Sequence, residues 1–155
     1  MADRGRIVSE NFEVIASMLK LGLVPCIGGD IVQDISLGAS VVSGDQIAVK
    51  LAIAFNAHTI IFGTDVDGLF TANPKLNHKA MLISTLDGEK LQEWTHKAGP
   101  ANVPDASGGM RGKLTEILPA VRGGIKVLII NLNYSLRLQR AIAGKPVKGT
   151  VIQPG

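Results

Sequence analysis

The stretch IKVLIIN, residues 125–131, constrains this chain more than any other. Apart from Lys126 and the terminal Asn131 it has no polar side chain to turn towards water. A strand built from it must be covered on both faces, as in sheets flanked by helices. A second β-branched run, HTIIFGT at 58–64, reads the same way. Shorter strands are expected at LVPCIGG (23–29) and GTVI (149–152), and a small hairpin over 30–45 with Gly38 in its turn.

Segments of helical period separate these runs. ENFEVIASMLK (10–20) places Phe12, Ile15 and Leu19 on one face, with Ser9 as its cap, Lys20 in the last turn and Gly22 as its stop. From Asp45 a helix turns Ile47, Leu51 and Ala54 inward. Another, capped near Thr85 or Asp87, carries Leu91 and Trp94. A fourth presents Leu114, Ile117 and Leu118 and is expected to bend or shorten at Pro119. LRLQRAIAG (136–144) is a short fifth helix. Strands alternating with helices predict an α/β fold: a parallel-rich sheet with helices on both faces, an αβα sandwich. With 155 residues, 46% of them apolar, the chain is long enough for one core and is read as a single domain over 1–155.

Composition removes several classes of function. The formal charge of +3 comes from 16 basic and 13 acidic residues with no block of like charge, so neither nucleic acid nor a membrane surface is indicated. Aromatic residues at 4% are too few for a base-stacking platform. The single cysteine, Cys26, lies in an apolar run and is expected to be buried; no disulfide framework is possible within the chain. MADRGRIVSE lacks an apolar signal core and no run approaches a membrane span, so a cytoplasmic, soluble protein is expected.

Ligands of open α/β sheets lie at the carboxyl ends of strands, and three glycine-bearing polar loops fall at such ends: Gly28 to Asp30, Gly63 to Gly68, and Asp105 to Lys113. A fourth, Ser43 to Asp45, opens a helix whose N–H groups can face an anion. Each alone is a turn; together they favour a phosphate-bearing ligand. Lys113 near a helix start opposes the macrodipole at a cost of about 0.3–1 kcal/mol, and an anion bridging the two reverses that sign. SGGMRGKL is not a phosphate loop of the Walker type, which needs glycine in place of Ser107 and Ser or Thr in place of Leu114. No G-x-G-x-x-G occurs. His58, His78 and His96 lack metal-ligand spacing, and no protein-built metal site is expected. Asp65 and Asp67 remain open to three roles: Mg²⁺ coordination, satisfaction of their own turn, or hydrogen bonding to a ribose.

Taken in order, GGDIV, VVSGDQIAVKLA, IIFGTDVDGLFTANPK, DASGGMRGKLTEIL, GIKVLIIN and VKGTVI resemble the nucleotide-binding half of the amino acid kinase superfamily, from about Gly22 to Ile152. Isopentenyl phosphate kinases of the archaeal mevalonate route are most similar, and uridylate kinases, which share the VDG loop, come second. The resemblance implies transfer of the γ-phosphoryl of ATP, with Mg²⁺, to a small phosphate monoester. It implies that Lys113 stabilises the transferring group and Asp45 orients the catalytic lysines. Thr64, Asp65, Gly68 and Phe70 would border the nucleoside, Asp65 in contact with it and Asp67 bracing the turn. Gly108, Gly109 and Met110 would form the nucleotide-side turn, and Gly29 and Asp30 would meet the acceptor phosphate.

The departures also matter. The lysine and Gly-Gly-Ser loop with which such kinases begin, and the histidine that holds the acceptor phosphate, have no counterpart here. The acceptor-binding half is therefore expected to be absent, and self-association or a partner chain is expected to supply it. Asn73 stands where the family usually has Asp before Pro74. A nucleotide-binding module without catalysis, and a uridylate-kinase-like enzyme, are the alternative readings.

Overall fold

The computed structural model describes residues 1–97 and 109–154. The chain divides into two compact units, Met1–Leu51 and a second from Ala52 onward.

The first unit is built on a four-stranded sheet of order β2-β1-β3-β4: β1 Ala2–Asp3, β2 Arg6–Ile7, β3 Asp30–Asp34 and β4 Gly38–Val42. Strands β1 and β2 pair antiparallel through a two-residue turn in which Arg4 (φ 49°) and Gly5 (φ 76°) both have positive φ, the arrangement that matches strand twist in tight hairpins. This small hairpin is not anticipated from the sequence. The β3–β4 hairpin is, with Asp34 opposite Gly38 and Gly38 at positive φ.

One carboxylate ties the two turns together. Buried Asp34 accepts hydrogen bonds from four backbone N–H groups: Arg4 at 3.0 Å and Gly5 at 2.7 Å in the first turn, Ser36 at 3.0 Å and Leu37 at 2.9 Å in the second. Burial alone would raise its pKa. The N–H groups of Gly5, Leu37 and Arg4 outweigh burial and hold the carboxyl far below the usual carboxylate range.

Helix α1, Glu13–Lys20, begins later than expected. Ser9 does not cap it; the Asn11 side chain takes the Glu13 N–H at 2.9 Å, and the Ser9 carbonyl accepts the Met1 ammonium instead. Its end is as expected at Gly22, whose N–H bonds the Leu19 carbonyl while Leu23 N–H reaches Met18. Residues 23–29 form no strand, because they join none of the ladders of either sheet. Cys26 is consequently exposed, not buried.

Helix α2, Gly44–Ala54, begins in the first unit and ends in the second. Ser43 caps it, its Oγ accepting the Gln46 N–H at 3.2 Å. Its buried stripe is Gln46, Val49 and Ala52; Ile47 and Leu51 are half-buried and Ala54 is exposed, a rotation from the expected face. The cause is Gln46, whose amide accepts the Ile7 N–H at 2.6 Å and donates to the Gly5 carbonyl at 3.2 Å, so that a polar side chain takes an inward position.

The second unit has a sheet of order β5-β7-β8-β6: β5 Thr59–Thr64, β6 Thr85–Asp87, β7 Lys126–Asn131 and β8 Gly149–Gln153. Strand pairs β5–β7 and β6–β8 are parallel and β7–β8 is antiparallel, so the sheet is mixed but parallel-rich. Val127, Leu128, Ile129 and Ile130 are all buried, which puts cover on both faces of β7 as its composition requires.

Helices α3, Gly88–Lys97, and α4, Gly109–Arg122, pack on each other and on this sheet, and α5, Arg137–Ile142, touches β7. Asp87, not Thr85, caps α3, its carboxylate accepting the Lys90 N–H at 2.8 Å. Leu91, Leu114, Ile117, Ala120 and Val121 are buried at the helix–sheet interface, while Leu118 and Trp94 are half-buried. Pro119 does not end α4, which runs on to Arg122. The fold is therefore α/β, as the alternation of runs predicts. Among the described residues no helix is long and apolar enough to cross a membrane.

Candidate functional site

Parallel pairing of β5 and β7 brings Thr64 opposite Asn131, so the loops leaving both strands emerge at one edge of the second unit's sheet. The β5 loop is held there from several directions. Thr64 Oγ1 donates to the Val66 carbonyl at 2.7 Å, with the Ile130 carbonyl at 3.3 Å. Asn131 donates from its amide to the Asp65 carbonyl at 3.3 Å and accepts the Asn133 N–H at 2.9 Å.

Further along, the fully buried Thr150 hydroxyl accepts the Leu69 N–H at 2.7 Å and donates to the Ile83 carbonyl at 2.6 Å. Gly68 sits between these fixings at φ 149°. A Cβ there would come within 2.5 Å of Thr150 Oγ1 and 2.9 Å of its backbone nitrogen, so glycine is required both by conformation and by space. Phe70 bridges to Leu82, and Thr71 N–H bonds the Met81 carbonyl, which turns the chain back beside itself. In the turn that follows, Asn73 Oδ1 accepts the Lys75 N–H at 3.0 Å, so the amide serves this turn without a charge.

The two acids of GTDVDG stand in different surroundings. Asp67 is only 14% exposed and lies between Arg137 at 2.6 Å and Lys148 at 2.7 Å. Burial would raise its pKa, but these two cations outweigh it and keep the carboxyl below its ordinary value. Asp65 is exposed and forms an ion pair with Lys75, whose hydrogen bond lowers its pKa. Among the described residues no cluster of His, Cys, Asp and Glu could hold a metal ion by itself. His58 and His78 are exposed.

Lys113 lies in the second turn of α4, with its Nζ 4.7 Å from the centre of the buried Phe62 ring on β5. Met110 is half-buried in the first turn and Gly109 opens the helix; Gly108 lies outside the described residues. The first unit holds Gly29, Asp30 and Asp45. Gly29 lies against the start of α2, where a Cβ would meet the Val42 carbonyl at 2.6 Å and the Gly44 nitrogen at 3.0 Å. Asp30 opens β3 opposite Val42, is exposed, and accepts its neighbour Ile31's N–H at 2.7 Å. Asp45 sits half-buried in the first turn of α2, where an acid complements the helix dipole.

Sequence reasoning missed Thr150, Asn131, Tyr134, Arg137 and Lys148. A signal existed for two of them: Asn131 ends an otherwise apolar strand, and Thr150 interrupts another. Nothing local marks Arg137, because its partner Asp67 is distant in sequence.

Parallel strands with a glycine-dependent loop at their carboxyl ends, and helices packed on the sheet, define an α/β protein. The chain belongs to the amino acid kinase family, which residues 2–131 match. It is 37% identical over 97% of its length to isopentenyl phosphate kinase of Methanothermobacter thermautotrophicus, of which it covers 56%. A solved isopentenyl phosphate kinase structure superposes with a TM-score of 0.80 at 33% identity, over 97% of this chain and 54% of that one. Glutamate 5-kinase of Caldanaerobacter subterraneus is 28% identical over 99% of this chain and 40% of the enzyme. The chain thus spans about half the length of the curated relatives it matches.

Proposed function

We propose that this chain is the nucleotide-binding part of a kinase that transfers the γ-phosphoryl of ATP to a phosphate monoester, with isopentenyl phosphate as the acceptor. The observation that carries this reading is the likeness to isopentenyl phosphate kinase along 97% of the chain. Single-domain character over 1–155 belongs to the same reading.

In it, the edge of the second unit's sheet receives the nucleotide. Thr64, Asp65, Gly68 and Phe70 border the nucleoside, and Gly109 and Met110 belong to the nucleotide-side turn. Lys113 neutralises charge on the transferring group. That role suits a reaction catalysed mainly by positioning and cationic stabilisation. Asp45 orients cations, and Gly29 and Asp30 meet the acceptor phosphate. Mg²⁺ fits as an ion carried on phosphate oxygens and water, where it would spread the charge of the triphosphate; the described residues offer no cage for it.

In this reading acceptor binding draws on groups beyond these 155 residues, whether from a longer protein, a partner chain or a second copy. Val14, Leu21, Val24 and Ile31 of the first unit are exposed and suit such cover.

The test is calorimetric titration of the 155-residue chain with ATP and Mg²⁺. It is followed by transfer of labelled phosphate to isopentenyl phosphate, UMP or glutamate, with and without a separately expressed N-terminal half of a related kinase. ATP binding by the lone chain, and transfer to isopentenyl phosphate only with the added half, is the expected result. Binding with no transfer under either condition would favour a nucleotide-binding module without catalysis. No binding at all would remove the nucleotide reading.

A further inference from the structure

Arg137 joins two features that the sequence keeps far apart. Its side chain is 13% exposed, and its guanidinium donates to Asp67 Oδ1 at 2.6 Å and lies 4.1 Å from the centre of the Tyr134 ring. Arg137 N–H bonds the Tyr134 carbonyl at 3.4 Å, and Leu136 between them is left-handed at φ 63°. A non-glycine residue in that region costs on the order of 1–2 kcal/mol and persists only where its surroundings enforce it. This strained turn brings the Tyr134 ring and the guanidinium together, while the guanidinium's Nη1 holds the β5 loop.

We propose that Arg137 is a positioning residue for the β5 loop, clamping Asp67 against α5 so that Thr64, Asp65 and Gly68 keep one arrangement ready for a nucleotide. Lys148 alone cannot substitute. It is 63% exposed and reaches the other oxygen of Asp67 as a point charge on a flexible stem, whereas the planar guanidinium is fixed by the ring beneath it. Thr150 pins the loop at Leu69 and Asn131 pins it at the Asp65 carbonyl, so the Arg137–Asp67 pair is the fixing that governs the side-chain end of the segment between them. The step from clamp to affinity rests on the reading that this loop receives the nucleotide.

Hydrogen exchange and ATP titration on the full chain, comparing wild type with Arg137→Ala, Arg137→Lys and Tyr134→Phe, test the proposal. Arg137→Ala should raise exchange at Leu69, whose N–H bonds Thr150, and weaken ATP binding by roughly tenfold each, the scale of one lost charge-assisted contact, while Val127 to Ile130 stay protected. Arg137→Lys should recover part of both effects, and Tyr134→Phe, which keeps the ring, should match wild type. Unchanged loop exchange in Arg137→Ala overturns the clamp. Loss of protection in β7 to the same degree overturns it too, since the residue would then be merely structural. A loosened loop with unchanged ATP affinity overturns the link to binding. Wild type failing to bind ATP is a separate result that removes the nucleotide reading and this link together, leaving the exchange data to decide the clamp.

Discussion

The Lys113 ammonium stands 4.7 Å from the centre of the Phe62 ring, so the cation of α4 rests against β5 just before the loop that begins at Thr64. An aromatic face attracts a cation more weakly than a phosphate does, so a phosphate brought to Nζ would outcompete the ring. Lys113→Ala should lower affinity for ATP–Mg²⁺ by about 1.5–3 kcal/mol, the value of one hydrogen bond to a charged group. Calorimetric titration of both forms measures it. Equal affinities would confine Lys113 to its contact with the sheet.

Asp45→Asn should behave differently. The isosteric change removes a charge from the first turn of α2 and, if Asp45 orients cations without touching ATP, leaves nucleotide affinity of the isolated chain nearly intact. Turnover should fall only once an acceptor-binding half is present. A large loss of ATP affinity in the lone chain would assign Asp45 to nucleotide or metal contact.

Thr150→Val preserves shape but strips the hydroxyl shared by Leu69 N–H and the Ile83 carbonyl. Each backbone group left unpaired in the interior costs about 1–3 kcal/mol. The urea midpoint of the variant should drop accordingly, whereas Thr150→Ser, which keeps the oxygen, should lie closer to wild type. Identical midpoints for Val and Ser would mean that water or another group replaces the hydroxyl.

Stability of the first unit should depend on acid through Asp34. Its folded pKa lies far below the ordinary 3.8, so its contribution is complete above that value and is lost progressively as pH falls below about 4 towards the folded pKa. Asp34→Asn should lower stability at neutral pH and flatten this acid dependence. Urea unfolding between pH 2.5 and 7, followed by exchange at Arg4, Gly5, Ser36 and Leu37, would reveal both; a variant with the slope of wild type would assign the dependence to other carboxylates. The pH limits chosen bracket the roughly 3.9 of an unfolded aspartate.

What the sequence determined by itself was the set of elements whose burial is dictated locally. IKVLIIN had to be covered on both faces, HTIIFGT had to be a strand, and Leu91, Leu114 and Ile117 had to point inward, because apolar period leaves no other way to remove those side chains from water. Turn chemistry was legible as well: Gly38 at its hairpin, Gly22 after α1 and Asp87 before α3 appear where conformation or capping demands them. The loop after β5 could be named as well, whereas Gly28 to Asp30 leads into β3 and closes no strand.

Only the tertiary structure decided pairings between residues distant in sequence. That Asp67 meets Arg137 and Lys148, that Thr150 receives Leu69, and that Asp34 gathers four N–H groups from two turns are consequences of which strands lie side by side, and no local pattern encodes them. The same cause explains the failures. An apolar run such as 23–29 becomes a strand only if a neighbour accepts its hydrogen bonds, and without one Cys26 lies open to solvent. Helix α2 turned a polar Gln46 inward because the edge of β2 offered it a partner, and hydrophobic periodicity cannot foresee a hydrogen bond that forms only when two elements meet.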